Sequence, residues 1–418
     1  MIQNNKFSKI IQSTIIVTLF IMTSPTIVQI TRITILNKLV VPFLLMLFVM
    51  YYVFSTRFLV NVQGFFLLTS FLLVILFSVV LEQSSSALSD VKTLFIYYLP
   101  SIAMMMLLFL LFPNTHEKKE HILNLVILFG MLEAILGILQ FVLRSPILPI
   151  VVNGQQIVSS IYYVPGSGGT GDSSIIGSSY LVRASGTMGS GLGLGILCLS
   201  SLATLSLRKK SRLTTILELV LCIAIILTLT GAIYAGFFSF LIFRYLLLHK
   251  STRLIKYVYY LLWFIGVSIE WFIAHIPQYI ISLFPTIESR FNGIQYYQSI
   301  LNSSLSSRFF GQNFTNNWQS LANATLNINN RYVVDNFFMY TFYNVGIFGI
   351  IILFFAYKNI MDWQLKTNST SPMVALQLSV LMMGFANNVS SAFGIVGILA
   401  LFSIRSSKDV NLEEILRE

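Results

Sequence analysis

The chain has 418 residues, 56% of them hydrophobic and only 10% charged, with a mean hydropathy of +0.80. Soluble domains carry about 25% charged residues, so a soluble class is excluded, and apolar runs of ~20 residues, the length that crosses hydrocarbon, recur along the sequence. The net charge of +11 does not point to nucleic acid, because in a membrane protein the placement of Lys and Arg carries more meaning than their total.

The expected fold is an all-α polytopic membrane protein, a single transmembrane domain over 1–418 with about 12 transmembrane helices. In chain order the apolar runs place them at 11–31, 37–54, 62–82, 93–112, 122–143, 185–206, 213–230, 232–248, 257–275, 334–357, 372–389 and 391–404. The first contains Pro25 and reads as a span rather than a cleavable leader. The seventh and eighth are joined by the tight Thr230-Gly231 turn. The count falls slightly if one of the short segments is re-entrant.

Most of the 26 basic residues fall on the inside when the N-terminus is cytoplasmic. RKKSR (208–212) and the cluster from Arg244 to Lys256 decide the orientation, since short basic loops resist translocation. Both termini are therefore expected in the cytoplasm, with the protein in the cytoplasmic (inner) membrane.

Two long outer segments follow from this topology, 144–184 and 276–333, the second lying before the tenth helix. Loops of such length are usually functional or disordered. The aromatic and arginine content of the second argues against disorder. Within it Ile287, Phe291, Ile294 and Leu301 keep helical spacing, which predicts an amphipathic helix on the membrane face. Function is expected to face outward.

The first outer segment holds PGSGGTGD (165–172), a literal G-x-G-x-x-G. That fingerprint binds a dinucleotide between a strand and a helix, and here it lies on the outer side before a span. It reads as a mobile flap, or as a nest of backbone N–H groups that could receive an anion. Walker A, H-E-x-x-H and C-x-x-C are all absent, so neither a nucleotide nor a metal cofactor is expected. His116 and His121 sit in the inner stretch HEKKEH, a solvated loop, and His275 opens the large outer loop. Cys198 and Cys222 lie in apolar runs and read as small core residues.

Arginine is what the outer side does hold. Arg183, Arg290, Arg308 and Arg331 sit in or beside the two long loops, against the usual depletion of positive charge there. The guanidinium fork matches phosphate oxygens bidentately and stays charged at any relevant pH. Such a cluster at the lipid boundary suits a membrane-linked diphosphate; headgroup anchoring, or pairing with Glu288 and Asp335, is the plainer alternative. Three carboxylates, Glu133, Glu218 and Glu270, fall within spans, where an uncompensated charge is costly. Glu218 is near the inner boundary and can pair with Arg212; Glu133 and Glu270 are candidates for lining a cavity. Gly191 and Gly195 form a G-x-x-x-G, which lets helices approach closely.

Several stretches carry a family pattern in order: ILGILQFV (135–142), RASGTMGSGLGLG (183–195), LTLTGAIYAG (227–236), SRFNGIQYYQSI (289–300), SSRFFGQNF (306–314) and VVDNFFMYTFYNVGIFGIIILFF (333–355). Over roughly residues 120–400 the chain resembles the O-antigen polymerase and ligase family, the Wzy-type membrane enzymes that handle undecaprenyl-diphosphate-linked oligosaccharides. The resemblance implies a glycosyltransferase of O-antigen or capsule biosynthesis, a repeat-unit polymerase working at the outer face without a cofactor. Its implied partners are the lipid-linked oligosaccharide, the bilayer, a chain-length regulator and a flippase, with no nucleic acid. Arg183 and Arg290 are then expected to bind the diphosphate and Asp335 to act as base. Arg308, Arg331, Asn336, Tyr332, Trp318, Glu270 and Glu133 are expected around the substrate. Two departures stand out: Ile233 where many members have arginine, and Asp335 where many ligases have histidine. The second favours a polymerase over a ligase. A flippase is the competing class; it would carry basic residues mid-span and repeated halves, and no internal repeat is visible here.

Overall fold

The computed structural model describes residues 62–81, 102, 105, 120–145, 151–152, 155–156, 162–163, 181–249, 251–269, 275, 305–311, 336–368, 370–387 and 389–403. Within them the fold is all-α apart from two pairs of two-residue strands. The helices are α1 (Val62–Leu81), α2 (Glu120–Leu143), α3 (Gly191–Leu205), α4 (Arg212–Leu227), α5 (Gly231–Leu248), α6 (Thr252–Val267), α7 (Leu305–Phe310), α8 (Phe337–Thr367), α9 (Pro372–Gly384) and α10 (Ser390–Ser403). The strands are β1 (Val151–Val152) with β2 (Gln155–Gln156), and β3 (Tyr162–Tyr163) with β4 (Leu181–Val182), both pairs antiparallel. Ile122–Leu143, Gly231–Leu248 and Phe337–Thr367 are long and apolar enough to cross a membrane. The spans expected at 11–31, 37–54 and 93–112, and the amphipathic helix expected near Ile287–Leu301, lie outside the described residues.

Local chemistry sets the helix ends. Ser190 caps α3, its side chain accepting from Gly193 N at 3.1 Å. Ser211 and Thr214 form a reciprocal capping box at the start of α4. Pro372 opens α9, where its missing N–H costs nothing. The span expected to begin at 185 becomes helical only at Gly191. The amides of Ser185, Gly186 and Thr187 bond to side chains of α2 instead of to their own turn.

α9 is the hub of the bundle, buried on nearly every side. α5 lies along it, close enough that a methyl on Gly236 would collide with the Met383 side chain. Since Gly236 is near the start of α5 and Met383 near the end of α9, the two helices run antiparallel. α10 and α8 pack on the other side of α9, with Tyr357 stacked on Phe393 at 3.9 Å between ring centres. α6 joins through an aromatic cluster: Tyr259 stacks on Phe354 at 5.4 Å, and Trp263 meets Phe338 edge-on at 5.5 Å. The Tyr259 hydroxyl, buried with its ring, donates to Phe354 O at 2.7 Å. Between helices in lipid, such close packing and hydrogen bonding replaces the hydrophobic drive available in water.

α8 is longer than its apolar run. It continues to Thr367 because its polar residues find partners on other helices. Asp362 accepts from Lys358 at 2.7 Å and from Lys256 of α6 at 2.8 Å. Gln364, buried, donates to Ala400 O and to Ser403 Oγ of α10 and accepts from Ser371 Oγ at 2.6 Å.

α8 is also broken at Gly346, whose φ of 63° and ψ of −170° leave the helical region. The short helix α7 fills this break. Gly311, at φ 84°, follows α7 so closely that a methyl there would lie 2.5 Å from the Asn344 carbonyl, and one on Gly346 would strike the carbonyl of Phe309. Phe310 contacts Phe77 of α1 at 5.2 Å and Phe348 at 5.4 Å. This part of the second long loop is therefore packed against helices α1 and α8.

Candidate functional site

One end of the bundle collects the residues of interest. The Thr228–Gly231 turn between α4 and α5 sits on the start of α3: a methyl on Gly191 would be 2.6 Å from both Thr228 O and Thr230 Oγ1. The antiparallel α5–α9 pair brings the end of α9 to the same end. Asn336, which opens α8, donates from Nδ2 to Phe385 O at 3.1 Å, and Gly384 packs against Phe337. The starts of α3, α5 and α8 and the end of α9 thus gather at one end, which also holds Arg183.

Arg183 sits between two anchors. On one side β4 pairs with β3 in the register Tyr162 to Val182 and Tyr163 to Leu181. On the other the backbone turns into the bundle, and Ala184 N donates to Leu227 O of α4 at 3.0 Å. From Val182 to Gly189 every residue except Arg183 is buried. Arg183 is thus the one part-exposed residue of this loop.

The loop beneath it is held by α2. Gln140 Oε1 accepts from Gly186 N at 2.8 Å and from Ser185 N and Oγ at 3.1 Å each, while Gln140 Nε2 donates to Gly186 O at 2.9 Å. Glu133 accepts from Thr187 N at Oε2 and from Thr187 Oγ1 at Oε1, both at 2.7 Å. Glu133, Gly137 and Gln140 lie four and three residues apart, hence on one face of the helix. Gly137 is the gap that admits the loop, since a methyl there would be 3.3 Å from Ala184 Cβ and 2.6 Å from Leu194 Cδ2. Gly186 takes φ 57°, and a methyl on it would run into the Glu133 carboxylate. Gly189, at φ 71°, turns the chain into the Ser190 cap. Satisfying buried N–H groups with side chains in this way is what allows non-helical backbone among packed helices.

Of the ten residues expected in the site from the sequence, four are described. Arg183 is part-exposed at this end, and Glu133 is buried under its loop. Asn336 is buried at the same end as the cap of α8, its Oδ1 accepting from Met339 N at 2.9 Å. Arg308 is exposed on α7, on the flank made by α1 and α8, away from the α2–α3–α4 flank of Arg183. Arg290, Arg331, Tyr332, Trp318, Asp335 and Glu270 lie outside the described residues. Ile233 is fully buried against Gly195. Among the described residues no three His, Cys, Asp or Glu side chains converge.

Gln140 and Thr187 were not singled out from the sequence as site residues. The available signal was Gln140 itself, a lone amide seven residues after Glu133 on an otherwise apolar helix face. Chemically, the part-exposed Arg183 puts a fixed positive charge at this end of the bundle, which favours an anion. No protein-family model, curated protein or solved structure matches the chain.

Proposed function

We propose that the protein is a polysaccharide repeat-unit polymerase of about 12 spans, with the Arg183 end facing outward from the cytoplasmic membrane. The observation that carries this reading is Arg183, the lone part-exposed side chain on a loop whose amides are anchored to Gln140 and Glu133. The ordered set of motifs from 135 to 355 supports it. In the reaction, an acceptor sugar hydroxyl attacks the anomeric carbon of a glycan linked to undecaprenyl diphosphate. The bond from that carbon to phosphate oxygen breaks, its electrons leave with the diphosphate, and the hydroxyl proton passes to Asp335. Arg183 and Arg290 hold the diphosphate and offset the charge that develops on it, usually the largest contribution in such catalysis. Tyr332 and Trp318 contact sugar, and Arg331 extends the basic rim, with Glu270 near it; Arg308, on the α1–α8 flank, takes no part in holding the diphosphate.

Glu133 and Asn336 take supporting parts in this reading. Both oxygens of Glu133 are occupied by Thr187, and the amide of Asn336 is occupied by Met339 and Phe385. Asn336 fixes the start of α8, the helix that follows Asp335 in sequence. A second reading, a flippase for the same lipid-linked glycan, is favoured by the break in α8 at Gly346, because broken helices build transport sites. Purified protein in lipid nanodiscs, supplied with lipid-linked repeat units, separates the two. A ladder of longer glycans supports the polymerase; relocation in vesicles without new glycosidic bonds supports the flippase; transfer to a different acceptor without laddering supports a ligase.

A further inference from the structure

We infer that Gln140 is the positioning residue for Arg183. This rests on the reading of Arg183 as a diphosphate ligand. The residues just after Arg183 are fixed by few groups. Ala184 is tied to α4 through Leu227 O, and Ser185 and Gly186 are tied to Gln140 alone among side chains. The Gln140 oxygen takes two backbone donors and a hydroxyl, and its nitrogen returns a bond to Gly186 O. The side chain is 1% exposed, so water does not substitute for it.

The chemistry demands a carboxamide. An apolar side chain of the same size leaves two buried N–H groups unpaired. A carboxylate keeps the acceptor but sets an oxygen against the Gly186 carbonyl. Gly186 holds a left-handed φ of 57°, and the two-way bond to Gln140 favours that conformation over the relaxed alternatives open to glycine. If the bond is lost, the loop can relax and the Arg183 Cα moves with it. A displacement of about 1 Å at a ligating group is enough to cost on the order of a hundredfold.

The test uses the full-length protein in nanodiscs of stated phospholipid composition, with farnesyl diphosphate as the probe. Affinity is measured for wild type, Gln140→Met, Gln140→Glu, Arg183→Ala and the Arg183→Ala/Gln140→Met double variant. Amide hydrogen exchange is followed over Ser185–Thr187. Gln140→Met is expected to weaken binding about tenfold or more, to speed exchange in the loop, and to have no further effect in the Arg183→Ala background. Gln140→Glu is expected to fall between Gln140→Met and wild type. Should Gln140→Met lower the folded yield, Gln140→Glu carries the same comparison, and unweakened binding by it then overturns the inference.

An equal loss from Gln140→Met with or without Arg183 shows that Gln140 acts on the bundle at large and overturns the inference. Unchanged binding by Gln140→Met beside a defective Arg183→Ala overturns it too, while leaving the diphosphate reading standing. If Arg183→Ala alone binds as wild type does, the diphosphate reading itself has failed and the inference falls with it.

Discussion

Gln140 and Gly186 are joined by hydrogen bonds running both ways, Gly186 N to Gln140 Oε1 at 2.8 Å and Gln140 Nε2 to Gly186 O at 2.9 Å. Through this pair helix α2 does for the 183–190 segment what a helix turn would otherwise do. It satisfies the buried backbone, and so permits a loop where hydropathy alone reads a span.

Gly186 is the position at which this arrangement is least tolerant. Gly186→Ala places a methyl group against the Glu133 carboxylate at a backbone angle costing about 1–2 kcal/mol for an L-residue. Thermal unfolding in detergent is expected to show a clear loss of stability. Gly231→Ala, at the first turn of α5 with nothing near the added methyl, is expected to be neutral or slightly stabilising.

Glu133 separates hydrogen bonding from charge. Glu133→Leu leaves the buried Thr187 N–H without its acceptor and is expected to cost about 1–3 kcal/mol in unfolding free energy. Glu133→Gln keeps one acceptor oxygen, and the Thr187 hydroxyl can rotate to accept from its amide, so a smaller loss is expected. Equal losses for the two variants would show that the carboxylate charge, and not the bond to Thr187 N, is what the fold needs.

The α7–α8 contact depends on two left-handed glycines. Gly346→Ala is strained at φ 63° and collides with the Phe309 carbonyl. It is expected to undock α7, seen as faster proteolysis within 305–311 and a lowered unfolding temperature. A variant as protease-resistant as wild type would contradict the docking described for Phe309 and Gly311.

Asp362 makes two ion pairs, with Lys256 and Lys358, whose side chains are 45% and 26% exposed. Partly exposed pairs contribute roughly 0–1 kcal/mol each, so Asp362→Asn is expected to be mild. The difference from wild type should shrink between low and high salt, because screening weakens the pairs already present.

Much of the helical plan is legible in hydropathy, because a helix that crosses lipid needs an unbroken apolar run. The run at 122–143 becomes α2 almost residue for residue, and RKKSR marks the turn before α4. What escaped depends on partners distant in sequence. RASGTMGS reads as the start of a span until Gln140 and Glu133 are seen to take its amides. GIFGI lies inside the unbroken span expected at 334–357, since only the backbone of Gly311 and Phe309 reveals the break at Gly346. α8 outruns its apolar stretch because Lys256, Ser371 and Ala400 receive its last polar residues. Arg183 stands out in the sequence as a cation expected on the outer side, whereas the device that holds it depends on Gln140 and Glu133, over forty residues away.

The most direct measurement is product laddering by purified protein in nanodiscs given lipid-diphosphate-linked repeat units. Arg183→Ala should lose about 2–4 kcal/mol of transition-state stabilisation, a roughly thirty- to several-hundred-fold fall in rate, with its unfolding temperature unchanged. Arg253→Ala, an exposed arginine at the start of α6, should ladder as wild type does. Normal laddering by Arg183→Ala, or no laddering by the wild type on any lipid-linked repeat unit, would contradict the account.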